Sequence, residues 1–96
     1  MSVTVEESQR IAEVMSGLAT PTRVQILSHL MDAPATVGEL TDAISVSQAA
    51  VSNHLRILRH LGLVHGDRQG RNVVYRLTDN HVQSMLQDIL EHTRHA

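Results

Sequence analysis

The sequence predicts a mainly helical domain with one β-hairpin, in the order helix, helix, helix, helix, hairpin, helix. Three features carry that prediction. Apolar residues recur at helical spacing through most of the 96-residue chain. Between Leu63 and Thr78 the spacing changes to alternation, in two short runs, LVHGDRQ and NVVYRLT, on either side of Gly70. Start and stop signals separate the helical stretches. The length suits a single domain, residues 1–96, and not two.

VEESQRIAEVMSGL sets Ile11, Val14, Met15 and Leu18 at helical spacing. Thr20-Pro21 restarts the chain, with Thr as N-cap and Pro at the first helical position, where a missing N–H costs nothing. Val24, Ile26, Leu27, Leu30 and Met31 follow until Asp32-Ala33-Pro34 stops the helix. Thr36 and Glu39 have capping-box spacing and open a short helix through Ala43. Ile44-Ser45-Val46 has room only for a turn. Ser47 caps SQAAVSNHLRILRHL, whose inner side is Ala50, Val51, Leu55, Leu58 and Leu61, with Gly62 as the expected C-cap. After the hairpin, Thr78 is the expected cap of a last helix striped by Val82, Met85, Leu86, Ile89 and Leu90.

Composition narrows the function. The chain has no Cys, Phe or Trp and one aromatic residue, Tyr75, so its core is aliphatic. Without cysteine there are no thiolate metal sites and no thiol redox switch. A thin core without disulfides makes oligomerisation the expectation. No apolar run approaches the ~20 residues that span a bilayer. MSVTVEESQR does not read as a signal peptide, and the expected location is the cytoplasm.

The net charge is −2, but its distribution is uneven. All eight basic residues are Arg. Arg56, Arg59, Arg68, Arg71 and Arg76 lie between residues 47 and 76, where Asp67 is the only acid, which leaves that segment at +4. It also holds a short helix, a three-residue turn, a longer helix and the hairpin, together a winged helix-turn-helix. Ser47, Gln48, Ala49, Ser52 and Asn53 put small and polar groups in the first turns of the longer helix. Gln and Asn can pair with adenine, and Ala or Ser can lie near a thymine methyl. Arg56 suits a phosphate, and Arg68, Gln69 and Arg71 at the hairpin tip suit backbone or minor-groove contact. The bland alternative is a helical domain with a solvated, Arg-bearing face. The joint pattern favours double-stranded DNA, read by a symmetric dimer on an inverted repeat.

LATPTRVQIL, VSQAAVSNHLRILRHLGLV and RQGRNVVYRL resemble the ArsR/SmtB family of winged-helix bacterial repressors, across residues 11 to 95. The resemblance implies a homodimer held by the first and last helices. It also implies a repressor that leaves its operator when an inducer metal binds. Many members carry Cys ligands on the helix before the turn. Here that position reads Thr36-Val37-Gly38-Glu39-Leu40, so the arsenic, cadmium and lead type of site is absent.

The last helix carries Asp79, His81, His92 and His95. At about 100° per residue, with His81 at zero, His92 falls near +20° and His95 near −40°, so the three imidazoles share a face. His92 and His95 are one turn apart, a chelating pair. His81 and His92 are separated by about 16 Å of helix axis. A His reaches roughly 6 Å from its Cα to a bound metal, so the four cannot easily close around one ion in one chain. Two copies packed antiparallel about a two-fold axis bring the front of one helix to the back of the other, giving two sites per dimer. The resemblance agrees: zinc-responsive members carry Asp-x-His…His-x-x-His on the last helix, split between subunits. It further implies that His92 donates a hydrogen bond to backbone near Leu61 and Gly62.

Three imidazoles and a carboxylate suit Zn(II) first and Co(II) next. Ni(II) stays open, through added ligands from the N-terminal amine, Glu6 or Glu7. A solvated polar helix is the alternative for these residues. His29, His54, His60 and His65 have no partner at ligand spacing and read as packing or phosphate-contacting residues. The expected function is a metal-responsive repressor, controlling metal efflux. The alternatives are a repressor of the same fold without metal response and a nickel/cobalt sensor with N-terminal ligands. An enzyme is disfavoured, because four protein ligands leave no open position for water and no nucleophile–base pair is visible.

Overall fold

The computed structural model describes residues 1–95 and follows the expected order with one addition. The helices are α1 (Val5–Ser16), α2 (Pro21–Asp32), α3 (Val37–Ala43), α4 (Gln48–His60) and α5 (Asn80–Arg94). The strands are β1 (Ala35–Thr36), β2 (Val64–Gln69) and β3 (Asn72–Leu77). β1 is the addition. Ala35 pairs with Tyr75 and Thr36 with Val74, so the hairpin grows into a three-stranded antiparallel sheet of order β1-β3-β2. Two residues are too few to leave a periodic signal in the sequence.

The caps explain where helices begin. The hydroxyls of Thr20, Thr36 and Ser47 accept from the N–H groups of Arg23, Glu39 and Ala50 at 3.2, 3.2 and 3.1 Å. Glu39 Oε1 accepts in return from Thr36 N–H at 2.9 Å. That backbone hydrogen bond, with the Thr36 hydroxyl second, holds the Glu39 carboxyl below the usual carboxylate range. A second capping box, Thr4 with Glu7, starts α1 and escaped the sequence reading.

Two helix ends correct the sequence expectation. The C-cap of α4 is Leu61, in right-handed backbone, and Gly62 follows it at φ 76, the left-handed position that suits glycine. The N-cap of α5 is Asp79 rather than Thr78: Asp79 Oδ1 accepts from Val82 N–H at 3.0 Å. Thr78 lies just past β3, and its N–H donates to Leu63 O at 3.1 Å, one hydrogen bond beyond the base of the hairpin.

The core lies where α2, α3 and α4 meet. Ile26, Leu27, Leu40, Val51, Leu55 and Leu58 are fully enclosed. Leu63 and Val64 close it from the sheet side, and Val82 and Leu86 of α5 from another. α1 buries no residue. Instead Ile11 and Met15 of α1, Val24 of α2 and Ile89 of α5 remain between 43% and 48% exposed. Met15, Val24 and Ile89 line one groove with Leu18, Met31, Leu86 and Leu90, and Ile11 lies in another with Val14, Met15 and Met85. Among the described residues no helix is long and apolar enough to cross a membrane.

Candidate nucleic-acid interface and metal centre

α4 has two faces with opposite fates. Val51, Leu55 and Leu58 are fully buried and fix the helix in the body. Gln48, Ala49, Ser52, Asn53 and Arg56 recur at intervals of four and one, so they form a single outward face, and all are exposed, as is Ser47. Asn53 Oδ1 accepts from Arg56 Nη2. That bond fixes the amide and leaves its NH₂ to face a partner.

The wing turns through Gly70 and Arg71, between the paired residues Gln69 and Asn72. Gly70 has φ 62 and Arg71 no positive φ, the pattern of a type II′ turn, whose twist matches a hairpin. Arg68, Gln69 and Arg71 are exposed at its tip. Gly66 faces Tyr75 across the ladder, and a Cβ there would stand 3.1 Å from Tyr75 Cε1 and 3.0 Å from Val73 Cγ1. Its absence lets the one aromatic ring lie across the strand. A cleft lined by Thr36, Gly38, Gln48, Arg71, Asn72 and Tyr75 joins wing and α4 into one surface. Thr36, Asn72 and Tyr75 were missed in the sequence, because only the β1–β3 pairing brings Thr36 to the edge where the hairpin sets Asn72 and Tyr75.

The basic stretch is not uniformly available. Arg76 Nε lies 2.9 Å from Asp67 Oδ2, and His65 Nε2 lies 3.3 Å from Asp67 Oδ1. The one acid of the stretch is therefore answered on the flank of the hairpin. Among the described residues, Arg56, Arg59, Arg68 and Arg71 have no acidic partner.

The four candidate ligands divide into two pairs. Asp79 has φ −157 and ψ 179, so it is extended and does not follow the helical lattice. This lets a residue two positions from His81 sit beside it: His81 Nδ1 is 3.9 Å from Asp79 Oδ1. Donors on a tetrahedral ion with bonds of ~2.05 Å are about 3.4 Å apart, so this pair needs only a small closure. The His81 side chain is 98% exposed, so no packing opposes that movement. His92 and His95 lie at the other end of α5, both exposed, with His95 as its C-cap. Among the described residues no three possible ligands stand together. The donor types fit zinc or cobalt, and the four candidates are split two and two between the ends of α5.

One implied contact is absent: His92 makes no hydrogen bond to Leu61 or Gly62 among the described residues, and its ring faces solvent. Glu7, a candidate extra ligand, has Oε1 engaged by Thr4 N–H. His29 and His54 are half-buried with Nδ1 shielded and unpartnered, while His60 and His65 are exposed.

Residues 20–65 match the model for "Bacterial regulatory protein, arsR family". The chain is 44% identical over 90 residues to the HTH-type transcriptional regulator NmtR of Mycobacterium tuberculosis (strain ATCC 25618 / H37Rv), covering 94% of this chain and 75% of that one. The chain belongs to the ArsR family. It is also 39% identical over 94 residues to a transcriptional repressor SmtB homolog of Synechocystis sp. (strain ATCC 27184 / PCC 6803 / Kazusa), covering 98% of this chain and 71% of that one. The solution structure of apo-NmtR superposes with a TM-score of 0.81 at 42% identity, covering 100% of this chain and 81% of that one.

These relatives are transcriptional regulators, and the ArsR-family chain is a winged helix-turn-helix DNA-binding regulator, not an enzyme. The family match runs from the N-cap of α2 into β2. It includes the whole outward face of α4 and stops before α5, which carries the four metal-ligand candidates.

Proposed function

We propose that the chain is a metal-responsive transcriptional repressor of the ArsR/SmtB type. It acts as a homodimer, built through α1 and α5, on an inverted-repeat operator. It is released when Zn(II), or Co(II), binds at two sites shared between subunits, and the gene it governs is one for metal efflux. The observation that most supports this is the division of donors between the two ends of one exposed helix. Asp79 and His81 of one protomer would complete a tetrahedral set with His92 and His95 of the partner subunit. The apolar face left open on α1, α2 and α5 supports the dimer, since an exposed patch of that kind marks an interface.

On DNA, Gln48, Ala49, Ser52 and Asn53 would meet base edges. Ser47 would sit at the helix start, and Arg56, Arg68, Gln69 and Arg71 would contact the backbone. Two α4 helices must lie about 34 Å apart to enter successive major grooves. A bound ion would supply a cross-link between the two α5 helices. The affinities are then coupled reciprocally, so operator DNA weakens metal uptake by the factor by which metal weakens DNA binding.

The test is a zinc titration of the dimer, with and without operator DNA. Uptake of two ions per dimer, lost in His81→Ala, with matching release of DNA, is the expected result. No uptake would leave a repressor of the same fold with another signal. Tighter six-coordinate binding of Ni(II), dependent on Glu6 or the N-terminal amine, would make it a nickel/cobalt sensor.

A further inference from the structure

α1 buries none of its residues, yet its C-terminal end is held from two sides. On one side Arg23, from α2, donates from Nη2 to Ser16 O at 2.8 Å and from Nε to Gly17 O at 3.2 Å. Carbonyls at a helix end lack intrahelical donors, and α1 has no basic residue in its own last turn. A guanidinium supplies both the missing donors and a positive charge at the negative end of the helix dipole.

On the other side, Gly17 meets the segment that leaves α4. A Cβ at Gly17 would stand 2.5 Å from Leu63 Cδ1 and 3.2 Å from Leu61 Cδ1. Gly17 has φ −64 and ψ −21, ordinary right-handed backbone that any residue adopts. Its glycine is needed for close approach, not for conformation. Leu61 is the C-cap of α4, and Leu63 is 2% exposed at the entry to β2. One residue therefore joins the end of α1, the start of α2 and the end of the recognition helix.

We propose that Gly17 and Arg23 form a joint that imposes the attitude of α1 on α4, making them positioning residues for operator binding. This rests on the reading that α1 helps to form the dimer. If α1 is fixed to the partner, the α1–α4 angle sets the distance between the two recognition helices. A tilt of about 5° across the 31 Å breadth of the molecule displaces α4 by about 3 Å, close to the ~3.4 Å rise of one base pair. The joint also reaches Leu61, to which His92 makes no hydrogen bond among the described residues, from α1 instead of α5.

The probe is a duplex selected by the wild-type protein from a random-sequence pool, together with the same duplex carrying one scrambled half. The readout is the ratio of the two affinities, measured without metal, because that ratio reports how well both recognition helices fit at once. In Arg23→Gln and Gly17→Ala the ratio is expected to fall at least fivefold. Half-site affinity and dimer mass should stay near wild type, while melting temperature falls modestly, because Leu63 must give way to a Cβ at Gly17 and Arg23→Gln loses donors at the end of α1. Arg23→Lys keeps one donor toward Ser16 O and should fall in between. If Arg23→Gln fails to fold or dimerise, Arg23→Lys and Gly17→Ala carry the readout. A wild-type ratio in both, with the dimer intact, overturns the joint. The metal reading fails separately, as a wild-type DNA affinity that zinc does not change.

Discussion

α4 and α1 are both amphipathic and nearly equal in length, 13 and 12 residues, but they end in different environments. α4 encloses Val51, Leu55 and Leu58 completely. α1 encloses nothing and leaves Ile11 and Met15 about half-exposed. An apolar stripe states that a face will be covered; it does not state by what. For α4 the cover is the chain's own core, which makes the helix a rigid platform for its polar face. For α1 the chain covers Val14 in part and leaves Ile11 and Met15 open, and a second copy is the proposed cover. α5 combines both patterns, with Val82 and Leu86 buried near its start and Ile89 exposed further along.

The contrast breaks most sharply by mutation of the two stripes. Leu55→Ala should lower unfolding free energy by about 2–5 kcal/mol, a large part of the stability of so small a domain, seen as an earlier urea midpoint. Ile11→Glu with Met15→Glu should leave the fold intact and abolish the dimer in sedimentation, with operator affinity down on the order of 100-fold as two-site reading is lost. A stable dimer in that variant would move the interface off α1.

The third test separates the two roles of Asp79. Asp79→Ala should cost about 1 kcal/mol as a lost N-cap, and it should also weaken zinc uptake. Asp79→Asn retains the cap, so its melting temperature should match wild type while zinc affinity falls about tenfold or more. The wing offers a smaller contrast. Arg71→Ala should reduce the slope of log affinity against log salt by about 1, whereas Arg76→Ala, already paired with Asp67, should change it little.

The smallest effect belongs to Glu39. Its folded pKa lies below its usual 4.5, so it stabilises the fold above that value, and the contribution is lost as pH falls through the folded pKa. Melting temperature measured from about pH 5 to pH 3 should drop less steeply in Glu39→Gln than in wild type.

The parts of the fold legible in sequence were those written in local chemistry. Thr20-Pro21, the Thr36–Glu39 box and Ser47 each announced a helix start through side chains that bond their own backbone, and each holds in the structure. Gly70 announced the wing because a tight hairpin needs a positive φ. The cap at Asp79 was misplaced by one residue because Thr78 looks equally suitable until its N–H is seen to bond Leu63 across the sheet. The face of α4 was legible because periodicity gathers Gln48, Ala49, Ser52, Asn53 and Arg56 into one arc of about 140°, beside the stripe of Val51, Leu55 and Leu58. The cleft with Thr36, Asn72 and Tyr75 was not, because it depends on a strand two residues long.

By itself, the sequence determined the order of elements, the polar face of the recognition helix and the split spacing of Asp79, His81, His92 and His95, all consequences of local geometry and period. Only the tertiary structure decided that Asp79, as an extended cap, stands beside His81, that Arg76 is held by Asp67, and that Gly17 lets the end of α1 rest on Leu61 and Leu63. Those facts join residues distant in sequence or off the helical lattice, and no periodic pattern encodes such a contact. Packing alone creates it.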